Sequence, residues 1–117
     1  MENLRNIRLS KQIQKDLSDI IDKIVRDNYR GKMVSVTEVR LSSDYSYAKI
    51  FLSVFPTDNA QTIVDEIELI NKQIRFDLGN RMRNQMRKIP ELRFQLDVSL
   101  DELEKIDKLL KNDGIIE

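Results

Sequence analysis

Between Ala60 and Met86 apolar side chains return every three or four residues, at Ala60, Ile63, Val64, Ile67, Ile70, Ile74, Leu78, Met82 and Met86. That spacing is one stripe of a 3.6-residue period, so the segment reads as a long amphipathic helix with one face turned to a core. Pro56-Thr57-Asp58 is expected to cap its start, and Pro90 closes it. Leu92, Phe94, Leu96 and Val98 then alternate as a strand. Gly79 interrupts the run, at a cost of about 1 kcal/mol relative to alanine in a helix interior. It marks either a break into two helices or a place where something approaches the backbone closely.

The rest of the chain supplies the other elements of the sheet-and-helix body. Residues 5–28 carry a second helical stripe, Leu9, Ile13, Leu17, Ile20, Ile21 and Ile24, ended by Asn28 to Gly31. Met33 to Leu41 is a strand whose alternation slips: Val34 and Val36 are out of phase with Val39 and Leu41. One extra residue near Thr37-Glu38, a bulge, restores a single face. Ser42 to Ser46 is turn chemistry, and Tyr47 to Phe55 is a second strand with Ala48, Ile50, Leu52 and Val54 inward, so the two form an antiparallel hairpin. Ser99 and Glu102 form a capping box before a short last helix with Leu103, Ile106 and Leu110. The order α-β-β-α(α)-β-α predicts an α+β sandwich, a three-stranded sheet with helices on one face. The helix-sized connection leaves the third strand free to run parallel or antiparallel to the second.

The chain has 117 residues, which suits one domain, expected over residues 1–111, with residues 112–117 as a flexible acidic tail. No run approaches the roughly 18 apolar residues of a membrane span, and the N-terminus has no secretory apolar segment. There is no cysteine and no histidine, which removes disulfides, thiolate chemistry and the commonest base and metal ligand. Asp65, Glu66 and Glu68 read as a solvated helix face. No catalytic or metal-ligating residue and no cofactor is assigned, and the reading is of a cytoplasmic, monomeric protein that is not an enzyme.

Charge is balanced in total, 20 Lys+Arg against 20 Asp+Glu, but segregated along the chain. Lys72, Arg75, Arg81, Arg83, Arg87, Lys88 and Arg93 face only Asp77 and Glu91 across one stretch. Asp58 to Glu68 holds four acids and no base, and Asp97 to Glu117 holds seven acids against three lysines. A concentrated cationic field attracts phosphate backbones. On a continuous helix Lys72, Arg75, Gly79, Arg83 and Arg87 would share one side as a phosphate-tracking ridge, with Gly79 admitting an RNA backbone. Lys72, Arg75, Gly79, Arg81, Arg83, Arg87 and Lys88 are therefore the candidate RNA-binding residues. Arg5, Arg8 and Lys11 are possible extensions, although with Lys15 they also fit the solvated side of the first helix. Tyr29, Tyr45 and Tyr47 lie near the hairpin ends, and Phe51 and Phe55 read as partial core rather than base-stacking groups.

Helix first, with a helical pair between the second and third strands, is the type II K-homology topology. The pieces Arg8-Leu9-Ser10-Lys11-Gln12-Ile13-Gln14-Lys15-Asp16-Leu17, Val34-Ser35-Val36-Thr37-Glu38-Val39, Leu41-Ser42-Ser43-Asp44-Tyr45-Ser46-Tyr47-Ala48-Lys49-Ile50, Arg75-Phe76-Asp77-Leu78-Gly79 and Ile89-Pro90-Glu91-Leu92-Arg93-Phe94 go further. Together they resemble bacterial ribosome-binding factor A, and Ile106-Asp107 fits its C-terminal pattern. The resemblance implies a factor that binds the immature small (30S) ribosomal subunit and its 16S rRNA near the decoding region. It also implies support for 16S rRNA maturation and 5'-end processing, with most effect in cold growth. The chain lacks the Gly-x-x-Gly loop of ordinary K-homology domains. At the place where the family bends with a small residue-x-Gly kink it has Ile70-Asn71-Lys72, so a straighter helix, or a break moved to Gly79, is expected.

Two other functions fit parts of the sequence. A protein-interaction adaptor would dock ribosomal proteins through the acidic segments Asp58 to Glu68 and Asp97 to Asp107. An mRNA regulator using a K-homology groove is disfavoured by the missing Gly-x-x-Gly.

Overall fold

The computed structural model describes residues 4–98. The short C-terminal helix, the Ile106-Asp107 pair and the 112–117 tail expected from the sequence lie outside those residues. Six elements follow in order: α1 (Leu4–Asn28), β1 (Met33–Leu41), β2 (Tyr47–Phe55), α2 (Ala60–Leu69), α3 (Asn71–Met82) and β3 (Glu91–Leu96). This is the α-β-β-α-α-β order expected from the sequence.

The sheet has the order β1-β2-β3. β1 and β2 pair antiparallel, and the register slips between Val36 and Glu38, so Thr37 is the extra residue. The bulge returns Val39 and Leu41 to the face of Val34 and Val36, and all four are buried. Gln14 of α1 donates its amide to the Val36 carbonyl (2.9 Å), tying the first helix to the bulge. β2 and β3 pair parallel from Tyr47↔Glu91 to Leu52↔Leu96, which settles the direction that the sequence left open. Ala48, Ile50, Leu52 and Val54 of the central strand are buried to the last few per cent. Along α1 the stripe is Leu9, Ile13, Leu17, Ile20, Ile21 and Val25; Ile24, expected in it, is only half-buried.

Burying alternate residues of each strand leaves the other sheet face uncovered. Phe51, expected as partial core, lies there half-buried, with the Arg40 guanidinium 4.9 Å and the Lys49 ammonium 6.0 Å from its ring centre. Phe55 is exposed. Both expectations fail for one reason: the helices pack on a single face of the sheet.

The second helical run corrects the sequence reading in three places. Asn59, not Pro56-Thr57-Asp58, precedes the first turn of α2; it has φ 63° and makes no side-chain cap. The break falls at Ile70 (φ −101°, ψ 23°) rather than at Gly79, which sits inside an unbroken α3. The cause is tertiary. β3 is an edge strand, and its outer backbone groups need partners. Glu68 accepts from the Phe94 amide (2.8 Å) and from the Asn71 side chain (2.7 Å), and Asn71 also donates to the Leu92 carbonyl (2.7 Å). Bending the chain between Glu68 and Asn71 brings both side chains to that edge. Glu68 is therefore a structural clamp and not part of a solvated face.

The third correction concerns Arg83 and Arg87. α3 ends at Met82, and one further turn, with the Met86 amide donating to the Met82 carbonyl (3.0 Å), seats Met86 in the core. The stretch 83–88 is a loop, so the two arginines do not continue a helical ridge.

Candidate nucleic-acid interface

α3 buries Ile74, Leu78 and Met82 and turns its other side outward. The structure divides the sequence-predicted cations into two kinds. Lys72, Arg83, Arg87 and Lys88 are exposed and, among the described residues, make no hydrogen bond or ion pair. Arg75 and Arg81 are engaged. Arg75 is half-buried and donates from Nε to the Pro90 carbonyl (3.0 Å) and from Nη2 to the Ile89 carbonyl (2.6 Å). Arg81 pairs with Asp19 (3.1 Å) and approaches Asp16 (3.9 Å), pinning α3 to α1. The six candidate cations thus reduce to four that are unpartnered among the described residues, with Arg75 and Arg81 holding the elements that carry them.

These elements form two adjoining clefts. One is lined by Lys72, Arg75, Phe76, Gly79, Asn80 and Ile89. The other is lined by Arg5, Asp44, Tyr45, Ser46, Met86, Arg87 and Lys88. Lys88 and Ile89 are chain neighbours, so the loop before β3 is the wall between them. Arg5 therefore does join the basic loop, as the sequence allowed, whereas Arg8 and Lys11 are exposed on α1 and line neither cleft.

The hairpin turn is held by Asp44. It accepts from the hydroxyls of Ser46 (2.7 Å) and Ser42 (2.8 Å) and from the Ser46 amide (3.1 Å). Those hydrogen bonds, the Ser46 hydroxyl first, lower its carboxyl from the ordinary 3.8 to about 2. Tyr45, at φ 62°, is presented with the Arg5 guanidinium 5.6 Å from its ring centre. The Glu91 amide donates to the Ser46 carbonyl (2.9 Å), locking the turn to the start of β3.

Gly79 is half-buried, and a Cβ placed on it would lie 3.4 Å from Ile89 Cγ1, ordinary contact distance. It is neither a helix break nor a sterically forced glycine; its effect is to leave the floor of the first cleft without a side chain. Phe76 and Asn80 were missed in the sequence. The signal for Phe76 was its place off the Ile74–Leu78 stripe, four residues from Lys72.

The acids of the segment Asp58 to Glu68 are largely occupied. Tyr29 donates to Glu66 (2.5 Å), and burial first, then Glu66, pushes its hydroxyl up to about 12. Asp58 pairs with Lys32 (3.5 Å), and Glu68 holds the β3 edge. No helix among the described residues is long and apolar enough to cross a membrane, and no three described acids come together as a metal site.

Comparison with known proteins agrees with the architecture. A family model for ribosome-binding factor A matches residues 5–110. Ribosome-binding factor A of Flavobacterium psychrophilum is 41% identical over 94% of this chain and 85% of its own length. That of Christiangramia forsetii is 36% identical over the same shares. Among solved structures, the crystal structure of Thermus thermophilus ribosome-binding factor A superposes with a TM-score of 0.66 at 22% identity, over 78% of this chain and 94% of that one. A Thermus thermophilus homology model, fitted into a cryo-electron-microscopy map of a complex with the 30S subunit, gives 0.61 at 22% identity, over 76% and 91%. The structural likenesses establish the α+β, K-homology-like fold, and the family match and sequence relatives establish the lineage: the chain belongs to the ribosome-binding factor A family.

Proposed function

We propose that this protein binds the immature small ribosomal subunit, contacting 16S rRNA phosphates through Lys72, Arg83, Arg87 and Lys88, and that by occupying the subunit it supports 16S rRNA maturation and 5'-end processing. The observation that carries the reading is the separation of roles among the basic residues. Four cations around α3 and the following loop have no partner within the described protein, while their neighbours Arg75 and Arg81 fix the scaffold. Unpartnered cations can release counterions from a phosphate backbone, and Arg adds bidentate contacts. Phosphate contacts position a protein without reading sequence, so recognition follows the shape of the folded RNA. No bond-making chemistry is assigned to the protein, and its action is that of a cytoplasmic monomer that comes and goes with the subunit.

The adaptor reading is less well supported, because Asp58, Glu66 and Glu68 are already engaged within the fold. Both are tested by co-sedimentation with immature 30S particles. Reversing Lys72, Arg83, Arg87 and Lys88 to glutamate together should abolish binding, leave the circular-dichroism spectrum unchanged, and cause unprocessed 16S rRNA ends to accumulate in cells. Undiminished co-sedimentation, or failure of isolated 16S rRNA to compete, would transfer the function to another surface.

A further inference from the structure

We propose that the cleft on the outer side of α3 receives an unpaired nucleobase, stacked on Phe76 above the bare backbone of Gly79 and met at its edge by Asn80. The proposal rests on the rRNA-binding reading above and names the kind of nucleotide that reading would engage.

Phe76 is 65% exposed although its neighbours Ile74 and Leu78 are fully buried. It stands two residues from each, about 200° round the helix, so it is not a core residue displaced from its stripe. Lys72 and Asn80, one turn to either side, share its face. The cleft is lined by Lys72, Arg75, Phe76, Gly79, Asn80 and Ile89. Its far wall is fixed, because Arg75 holds the Ile89 and Pro90 carbonyls at 2.6 and 3.0 Å.

The chemistry of this lining suits one occupant. An aromatic face stacks on any base, and a carboxamide both donates to and accepts from a base edge. Lys72 supplies an ammonium for the adjoining phosphate. The lining holds two cations and no carboxylate, which favours a polyanion over an acid-seeking peptide. A duplex conceals its base faces, so only a looped, bulged or end nucleotide can present one. This is a second kind of contact, distinct from the phosphate contacts of the loop.

The test uses the full chain and immature 30S particles whose rRNA contains 4-thiouridine. Irradiation should crosslink the peptide that carries Phe76. Phe76→Ala should weaken subunit binding by about 5- to 150-fold, the range for losing one stacked base, and remove that crosslink. It should leave the salt dependence unchanged, since no phosphate contact is lost. Phe76→Tyr should restore binding and Phe76→Leu should not. Gly79→Ala should fold at least as well as wild type, because alanine favours a helix, yet weaken binding by raising the floor. If the wild-type chain does not bind the particles, the rRNA reading itself fails. If it binds and Phe76→Ala binds equally, or Phe76→Leu rescues as well as Phe76→Tyr, the base site is overturned while the phosphate contacts stand.

Discussion

Replacing Glu68 with alanine separates the clamp seen at the β3 edge from an exposed acid on a helix face. Its two oxygens take hydrogen bonds from the Phe94 amide and the Asn71 side chain, at 2.8 and 2.7 Å. A hydrogen bond to a charged group is worth roughly 1.5–3 kcal/mol, but both are half-exposed and water recovers part of each, so about 2–3 kcal/mol is expected for the pair. At about 4–8 °C per kcal/mol for a domain of this size, Tm should fall by about 10–20 °C. The Asp65→Ala control, one turn earlier and exposed, should change stability by no more than about 0.5 kcal/mol. Thermal and urea denaturation measure the difference, and hydrogen exchange locates it, since the Phe94 amide should lose protection before the Ile50 amide of the central strand. If Glu68→Ala melts within about 3 °C of wild type, less than a single kcal/mol would give, and the Phe94 amide exchanges as before, the edge clamp and its explanation of the Ile70 bend are wrong.

Two further outcomes follow from the same contacts. Arg75→Ala should lower unfolding stability by about 2 kcal/mol, because the Ile89 and Pro90 carbonyls lose a charged donor; at low temperature, where it stays folded, the salt dependence of its subunit binding should match wild type, since Arg75 is not assigned a phosphate contact. The Asp44 carboxyl, followed by carbon-detected NMR, should titrate near 2 rather than at 3.8. Because the folded value lies below the unfolded one, its stabilisation is present above pH 3.8 and is lost as pH falls towards 2, and Ser46→Ala should move the midpoint upward.

Local patterns were legible in the sequence where one period or one broken period decided the structure. The slip between Val36 and Val39 located the Thr37 bulge, since a strand can bury both pairs only by gaining a residue. The inward set of β2 followed from strict alternation. What escaped the sequence depends on partners far along the chain. Neither Ile70 nor Lys72 is a residue suited to a bend, and the bend is imposed by Glu68 and Asn71 reaching Leu92 and Phe94. In the same way, nothing local distinguishes Arg81, paired with Asp19, from Arg83, which has no partner among the described residues. The direction of β3 was open because a helical connection permits either. The family pieces in the hairpin turn and before β3 were legible because both are backbone locks: Asp44 holding Ser42 and Ser46, and the Glu91 amide on the Ser46 carbonyl.

The most direct measurement is the slope of log affinity for 30S particles against log salt, for wild type and for single alanine variants. Each phosphate contact contributes roughly 0.7–0.9 to that slope. Lys72→Ala, Arg83→Ala, Arg87→Ala and Lys88→Ala should each flatten it by nearly one contact, and Arg81→Ala should leave it as in wild type. A slope that Arg81→Ala flattens, or that none of the four loop and helix variants alters, would mean that ribosomal RNA is held elsewhere on the molecule.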